Sequence, residues 1–170
     1  MSFKFFVTLM GKHYHKGLLI DTNVLLLLLV GSLDSKLIGN FKITANHGFD
    51  EADFNLLLAF VGKFQKIVTT PHILTEVSNH ADKMKGDNHK KIFDRFISLI
   101  EQLDERGESA KMLTKTDAFV RFGLTDTAIG SLASKNLLVL TVDLPLVGYL
   151  QKKNVDVVNF NHLRQMTLTD

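Results

Sequence analysis

Residues 17–31 read GLLIDTNVLLLLLVG, an apolar run interrupted only by Asp21, Thr22 and Asn23. A carboxylate set among leucines is costly unless something compensates it, because an unpaired buried charge is strongly disfavoured. The local pattern suggests where it sits. GLLI is short, apolar and follows a glycine, which suits a buried strand. The leucines after it form a helix, and a strand running straight into a helix marks an α/β unit. Asp21 then stands at the carboxyl end of a strand.

Working outward, the rest of the chain repeats that alternation. KIVT (66–69) is a second short strand, LLVLTV (137–142) the clearest one, and VDVVNF (155–160) the last. Between them, FKITANHGF (41–49) reads as a loop or extended excursion with a turn at Asn46-His47-Gly48. DEADFNLLLAFVGKF (50–64) reads as a helix capped by Asp50, with Phe54, Leu57, Leu58 and Val61 on one stripe. Thr70 caps a helix that has Pro71 at its first position, where a missing N–H does no harm. KKIFDRFISLIEQLDERG (90–107) reads as one long amphipathic helix with Ile92, Phe96, Leu99 and Leu103 on its stripe. That stripe suits core packing better than a partner surface. TKTDAFVRFGLT (114–125) is a connection, and Thr125 caps the helix DTAIGSLASKN. Strands alternating with helices favour a mostly parallel central sheet covered on both faces, a three-layer α/β/α sandwich. The expected organisation is an N-terminal extension over residues 1–16 and a single domain over 17–170, with a helical insertion around 41–64. His13 and His15, in KHYHKG, read as tail residues.

The 170 residues are 45% hydrophobic, with mean hydropathy +0.10 and neither cysteine nor tryptophan. This suits a substantial core and excludes disulfides and thiolate metal sites. The first 17 residues lack a small-residue cleavage site, and VLLLLLVG is too short to span a bilayer. A cytoplasmic protein with no membrane partner is the simplest expectation. Formal net charge is only +2, too little by itself to indicate nucleic acid.

In open α/β sheets ligands gather at the carboxyl ends of strands. Asp21 and Asp143 close the first and the clearest strands. Asp126 opens a helix just before the latter, and Glu76 follows the second strand. Each acid alone has an ordinary explanation: a helix first turn for Asp126, a solvated face for Glu76, a cap for Asp143. Together they place four carboxylates at one edge of the sheet. Clustered carboxylates resist ionising together, and a divalent cation relieves that. Oxygen-only donors suit Mg²⁺ or Mn²⁺. One or two such ions can activate water and stabilise charge developing on a phosphodiester. Asn23 can orient Asp21 or bind a metal's water. Thr22 and Thr141 can supply hydroxyl hydrogen bonds, or simply local turn bonds. His72, Glu76 and His80 share a helix face, which reads as a polar stripe rather than a metal site.

The ordered motifs LLIDTNVLL, TPHILTEVSNH, GLTDTAIGSLA and LTVDLPL, from Leu18 to Phe160, resemble those of PIN-domain proteins. That resemblance implies an α/β/α sandwich and a metal-dependent endoribonuclease, with Asp21, Glu76, Asp126 and Asp143 as catalytic, metal-holding acids. It aligns Asn23 with the small polar residue near the first acid and Thr141 with the hydroxyl residue before the last. It also implies an RNA substrate, a homodimer and, for the toxin-type members of type II toxin–antitoxin systems, an antitoxin whose peptide fills the cleft. The chain departs from the pattern at Gly130 and Ser131, where some relatives carry a further acid. The number of metal ions is therefore left open.

Setting the four acids aside leaves 14 acidic against 20 basic residues, a balance that suits a phosphate backbone around an acidic cleft. Arg121, Lys90 and Lys91, with Lys83, Lys85 and His89, are candidate phosphate contacts. Two other classes remain. One is a catalytically weak PIN-like binding or scaffold module. The other is a haloacid-dehalogenase-type phosphatase, which wants a second aspartate where Asn23 stands and a lysine that is not evident.

Overall fold

The computed structural model describes residues 3–134 and 136–167. The outermost residues of the two expected spans, 1–2 and 168–170, and Lys135 within the expected helix 126–136, lie outside them.

Five strands form one all-parallel sheet: β1 (Leu18–Ile20), β2 (Ile67–Thr69), β3 (Asp104–Glu105), β4 (Leu138–Thr141) and β5 (Val157–Asn159), in the order β3-β2-β1-β4-β5. β1 is central, and Leu18, Leu19 and Ile20 are all fully buried. A strand apolar on both faces needs helices on both. Helix α2 (Thr22–Leu33) supplies the first cover. Nine of its twelve residues are buried, so the leucine run is a helix apolar all round, as core helices are. Helices α4 (Glu51–Val61), α5 (Pro71–Ala81) and α6 (Asn88–Ile100) pack around α2. Helix α8 (Ala118–Ala133) packs on β4 and on α9 (Leu144–Lys152), while α9 and α10 (Phe160–Thr167) lie against β5. The architecture is a three-layer α/β/α sandwich, as the alternation predicts. Gly31 lets α4 approach α2: a Cβ there would stand 2.3 Å from the Phe54 ring.

The local caps form as the sequence suggests. Thr70 accepts the N–H of Ile73, and Asp50 forms a reciprocal capping box with Asp53. Four local expectations need correction. Residues 42–46 form a short helix, α3 (Lys42–Asn46), rather than an extended arm; Gly48, at φ 64°, ends it, so the Asn-His-Gly signal is helix-stop chemistry. The long helix ends at Ile100, and Asp104–Glu105 instead joins β2 as an edge strand; pairing with an existing sheet outweighs poor strand propensity. The connection 114–125 is helical over its second part: after the short helix α7 (Ala110–Leu113) and a turn at 114–117, α8 already begins at Ala118. Finally, residues 3–13 form helix α1, which buries Phe6 and Leu9. His13 is not a tail residue. It is 1% exposed, with Nε2 2.8 Å from the Asp156 carboxylate and Nδ1 3.0 Å from the Asn136 carbonyl. A single hydrophobic cluster runs from Phe6 to Leu163.

Candidate active-site cleft

From β1 the chain builds outward through β2 and β3, then returns to β1's other side as β4. The switch point therefore lies between β1 and β4, and there the crevice opens at the strands' carboxyl ends. Asp21 leaves β1 at this point, its N–H donating to the Leu140 carbonyl at 3.0 Å. Thr141, the last residue of β4, is fully buried. Its hydroxyl donates to Asp21 Oδ2 at 2.6 Å and accepts the Asp143 N–H at 2.9 Å, so one side chain ties both strand ends together. Asp21 Oδ1 also accepts the Thr22 N–H at 2.6 Å. Asp143 Oδ1 accepts the Leu146 N–H at 2.7 Å, capping α9.

Glu76 reaches the same cleft from the second turn of α5. The Thr22 hydroxyl donates to its Oε2 at 2.8 Å and the Thr125 hydroxyl to its Oε1 at 2.6 Å. Thr125 thus does not cap a helix as expected. α8 breaks at Gly123 (φ 76°, ψ −172°), so the break precedes Thr125 and frees its hydroxyl for Glu76. The signal for Thr125, a hydroxyl next to a site acid, was present but fitted a cap equally well. Asp126 receives no hydrogen bond among the described residues.

Asp21, Thr22, Asn23, Glu76, His80, Thr125, Asp126 and Asp143 line one cleft of about 260 Å³, together with Phe122, Gly123 and Leu124. All four predicted acids and the three predicted supporting residues are therefore in or directly behind it. His80 joins them; its Nδ1 is buried without a partner among the described residues, and burial with the nearby Lys83 charge holds the ring below its ordinary pKa. His72 does not line the cleft. Lys90 pairs with Asp94 on the exposed face of α6 at 2.9 Å, and neither it nor Lys91 borders the cleft. Arg121 lies beside it, in an adjoining pocket.

The electrostatics follow from the crowding. Burial is the main cause raising Asp126 to about 7, with repulsion from Asp21, Asp143 and Glu76 adding to it. Burial likewise raises Asp21 to about 6; the Thr141 and Thr22 hydrogen bonds oppose this, and Asp143 and Glu76 reinforce it. No basic side chain counts among the groups that shift either acid. This donor set, all oxygen and all anionic, fits a hard divalent cation. Among the described residues no three acidic or histidine side chains are grouped tightly enough to enclose an ion as they stand. A small cation here would keep part of its water shell, as Mg²⁺ usually does. Among the described residues, no helix is long and apolar enough to cross a membrane.

No protein-family model matches the chain, and no curated protein matches it.

Proposed function

We propose that the protein is a Mg²⁺- or Mn²⁺-dependent nuclease that hydrolyses internal phosphodiester bonds of RNA. The observation that carries this reading is the meeting of four carboxylates from four separate segments at the switch point, with no lysine or arginine lining the cleft. The resemblance to PIN domains adds RNA as the substrate, and the basic balance of the remaining chain agrees with it.

Asp21, Glu76, Asp126 and Asp143 would hold the cation. When bound, it lowers the pKa of water and offsets the charge that develops on phosphorus's oxygens. The protein's own part is positioning. Thr141 holds Asp21 and the turn carrying Asp143, while Thr22 and Thr125 fix both oxygens of Glu76. Asp126 keeps its lone pairs for ligand or proton. Its pKa of about 7 places its proton exchange near neutral pH, and a bound cation would favour the ionised form. No serine–histidine nucleophile is required. A toxin held silent by a small antitoxin, acting as a homodimer in the cytoplasm, is the finer form of this proposal.

The test is incubation of a mixed RNA pool with wild type and Asp126→Asn, in Mg²⁺ or Mn²⁺ and in EDTA. The expected result is metal-dependent fragments that the variant does not produce. Fragments from both proteins would indicate a contaminant. None from either would overturn catalysis and favour the binding module.

A further inference from the structure

Beside the acidic cleft lies a second pocket of about 500 Å³, built by the start of α8 and by α9. Phe122 lines both, so the two adjoin at its ring. The floor of the second pocket is aromatic: the Phe122 and Tyr149 ring centroids are 4.8 Å apart, tilted by 44°. Its rim is basic. The Arg121 guanidinium lies 4.8 Å over the Phe122 ring, the Lys153 ammonium 6.0 Å from the Tyr149 centroid, and Lys115 lines the pocket together with a single carboxylate, Asp117. Arg121, Lys115 and Lys153 are exposed, and both rings are half-buried.

Two backbone features build this arrangement. The break at Gly123, in a region of φ and ψ that side chains rarely adopt, puts Phe122 between the two cavities. Gly130 leaves room for the Tyr149 ring, since a Cβ there would stand 3.1 Å from Cε1. Neither ring is needed for the acid cluster, and their hydrogen-bond-free faces are the kind of surface on which bases stack.

We infer that this pocket is a subsite for one unpaired nucleotide of single-stranded RNA, its base stacked on Phe122, Tyr149 and Arg121 and its phosphates held by Lys115 and Lys153. The inference rests on the nuclease reading for the identity of the strand. Flat aromatic faces interleaved with cations bind unstacked bases whatever their sequence. A duplex keeps its bases stacked and hidden, so the subsite selects single strands. Phe122 also lines the acidic cleft, so a strand seated on its ring would pass beside the four carboxylates. An acidic partner peptide is the rival occupant; it would use the lysines but gain little from two tilted ring faces.

The experiment is fluorescence anisotropy with a short labelled single-stranded RNA and its duplex, in EDTA, over a range of salt. The single strand should bind more tightly than the duplex. Phe122→Ala and Tyr149→Ala should each weaken it roughly 5- to 150-fold, the range of one base stack. Tyr149→Phe, which keeps the ring, should restore what Tyr149→Ala loses. Lys153→Ala, at an exposed position that folding tolerates, should lower the slope of log affinity against log salt by roughly 0.7. Ring variants that bind like wild type, equal binding of duplex, or no binding of RNA would each overturn the subsite, the last leaving it to an acidic peptide. The two proposals separate cleanly. Single-strand binding through the rings without metal-dependent cleavage keeps the subsite and sinks the nuclease. Cleavage with unaffected ring variants does the reverse.

Discussion

Asp21→Asn removes one charge from the cleft without changing the shape of the side chain. Asp21 is 5% exposed, and its carboxyl is pushed from 3.8 to about 6, chiefly by burial. A folded-state pKa above the unfolded one means that the folded chain binds this proton more tightly. The stability that follows is fully present below about pH 4 and is lost as pH rises through about 6. A shift of about two units corresponds to on the order of 3 kcal/mol. Asparagine cannot ionise, so in EDTA the variant's stability relative to wild type should climb by on the order of 3 kcal/mol between about pH 4 and pH 7. A constant offset comes from the hydrogen bonds. The amide oxygen can still accept the Thr22 N–H, and the amide nitrogen can donate to Thr141 Oγ1. Replacing the protonated carboxyl by an amide changes these bonds by roughly 1 kcal/mol at every pH, the effect of the carboxylate's charge being already contained in the pKa shift. The slope therefore carries the test, not the offset. The assay is urea unfolding at closely spaced pH values with a common m-value. Parallel stability curves for the two proteins would refute the reasoning. Unfolding of the variant at every pH would make Asp21 a structural anchor instead. Under the proposed function the same variant should also lose RNA cleavage.

Thr125→Val removes one of the two hydroxyls on Glu76 and should lower metal-dependent activity roughly tenfold or more, as loss of a ligand's supporting partner does. Its unfolding midpoint should move little, because Glu76 is half-exposed to water; unchanged turnover would show that Thr125 does not position it. Gly31→Ala drives a methyl into the Phe54 ring and should cost roughly 1–3 kcal/mol in urea unfolding, only partly offset by alanine's better helix propensity. A neutral result would mean that α2 and α4 pack less closely than described. Arg164→Ala removes the guanidinium whose Nε donates to buried Asp53 at 2.7 Å. Calorimetry should show a loss of roughly 1.5–3 kcal/mol, the range for charged hydrogen bonds, while RNA cleavage persists if the site is where we place it.

Much of the site was legible because its signals are local. An aspartate between a strand and a leucine-rich helix has few places to be, and caps such as Thr70, Asp50 and Asp143 involve partners three residues away. The sandwich followed from alternation and from β1's apolar pattern on both faces. The misses involve distant partners. His13 meets Asp156 across 143 positions, so nothing near KHYHKG marks it as buried. Thr125 meets Glu76 across 49, and locally its hydroxyl looks like a cap. Asp104 and Glu105 are poor strand formers that pair only because an open edge of β2 is beside them. Phe122 and Tyr149 are unremarkable apart and form a platform only when α8 and α9 touch.

By itself, then, the sequence determined the alternation of strands and helices, the burial of the leucine helix and the identity of four acids. These depend on periodicity and on contacts within a turn, where chain connectivity already holds the partners near. Tertiary structure alone decided that Thr125 joins Thr22 on Glu76, that burial outweighs the hydrogen bonds and raises Asp21, that Asp126 rises with it, and that an aromatic pocket adjoins them. Those properties depend on distances between residues far apart in the chain, and only the packed sheet and its switch point set those distances.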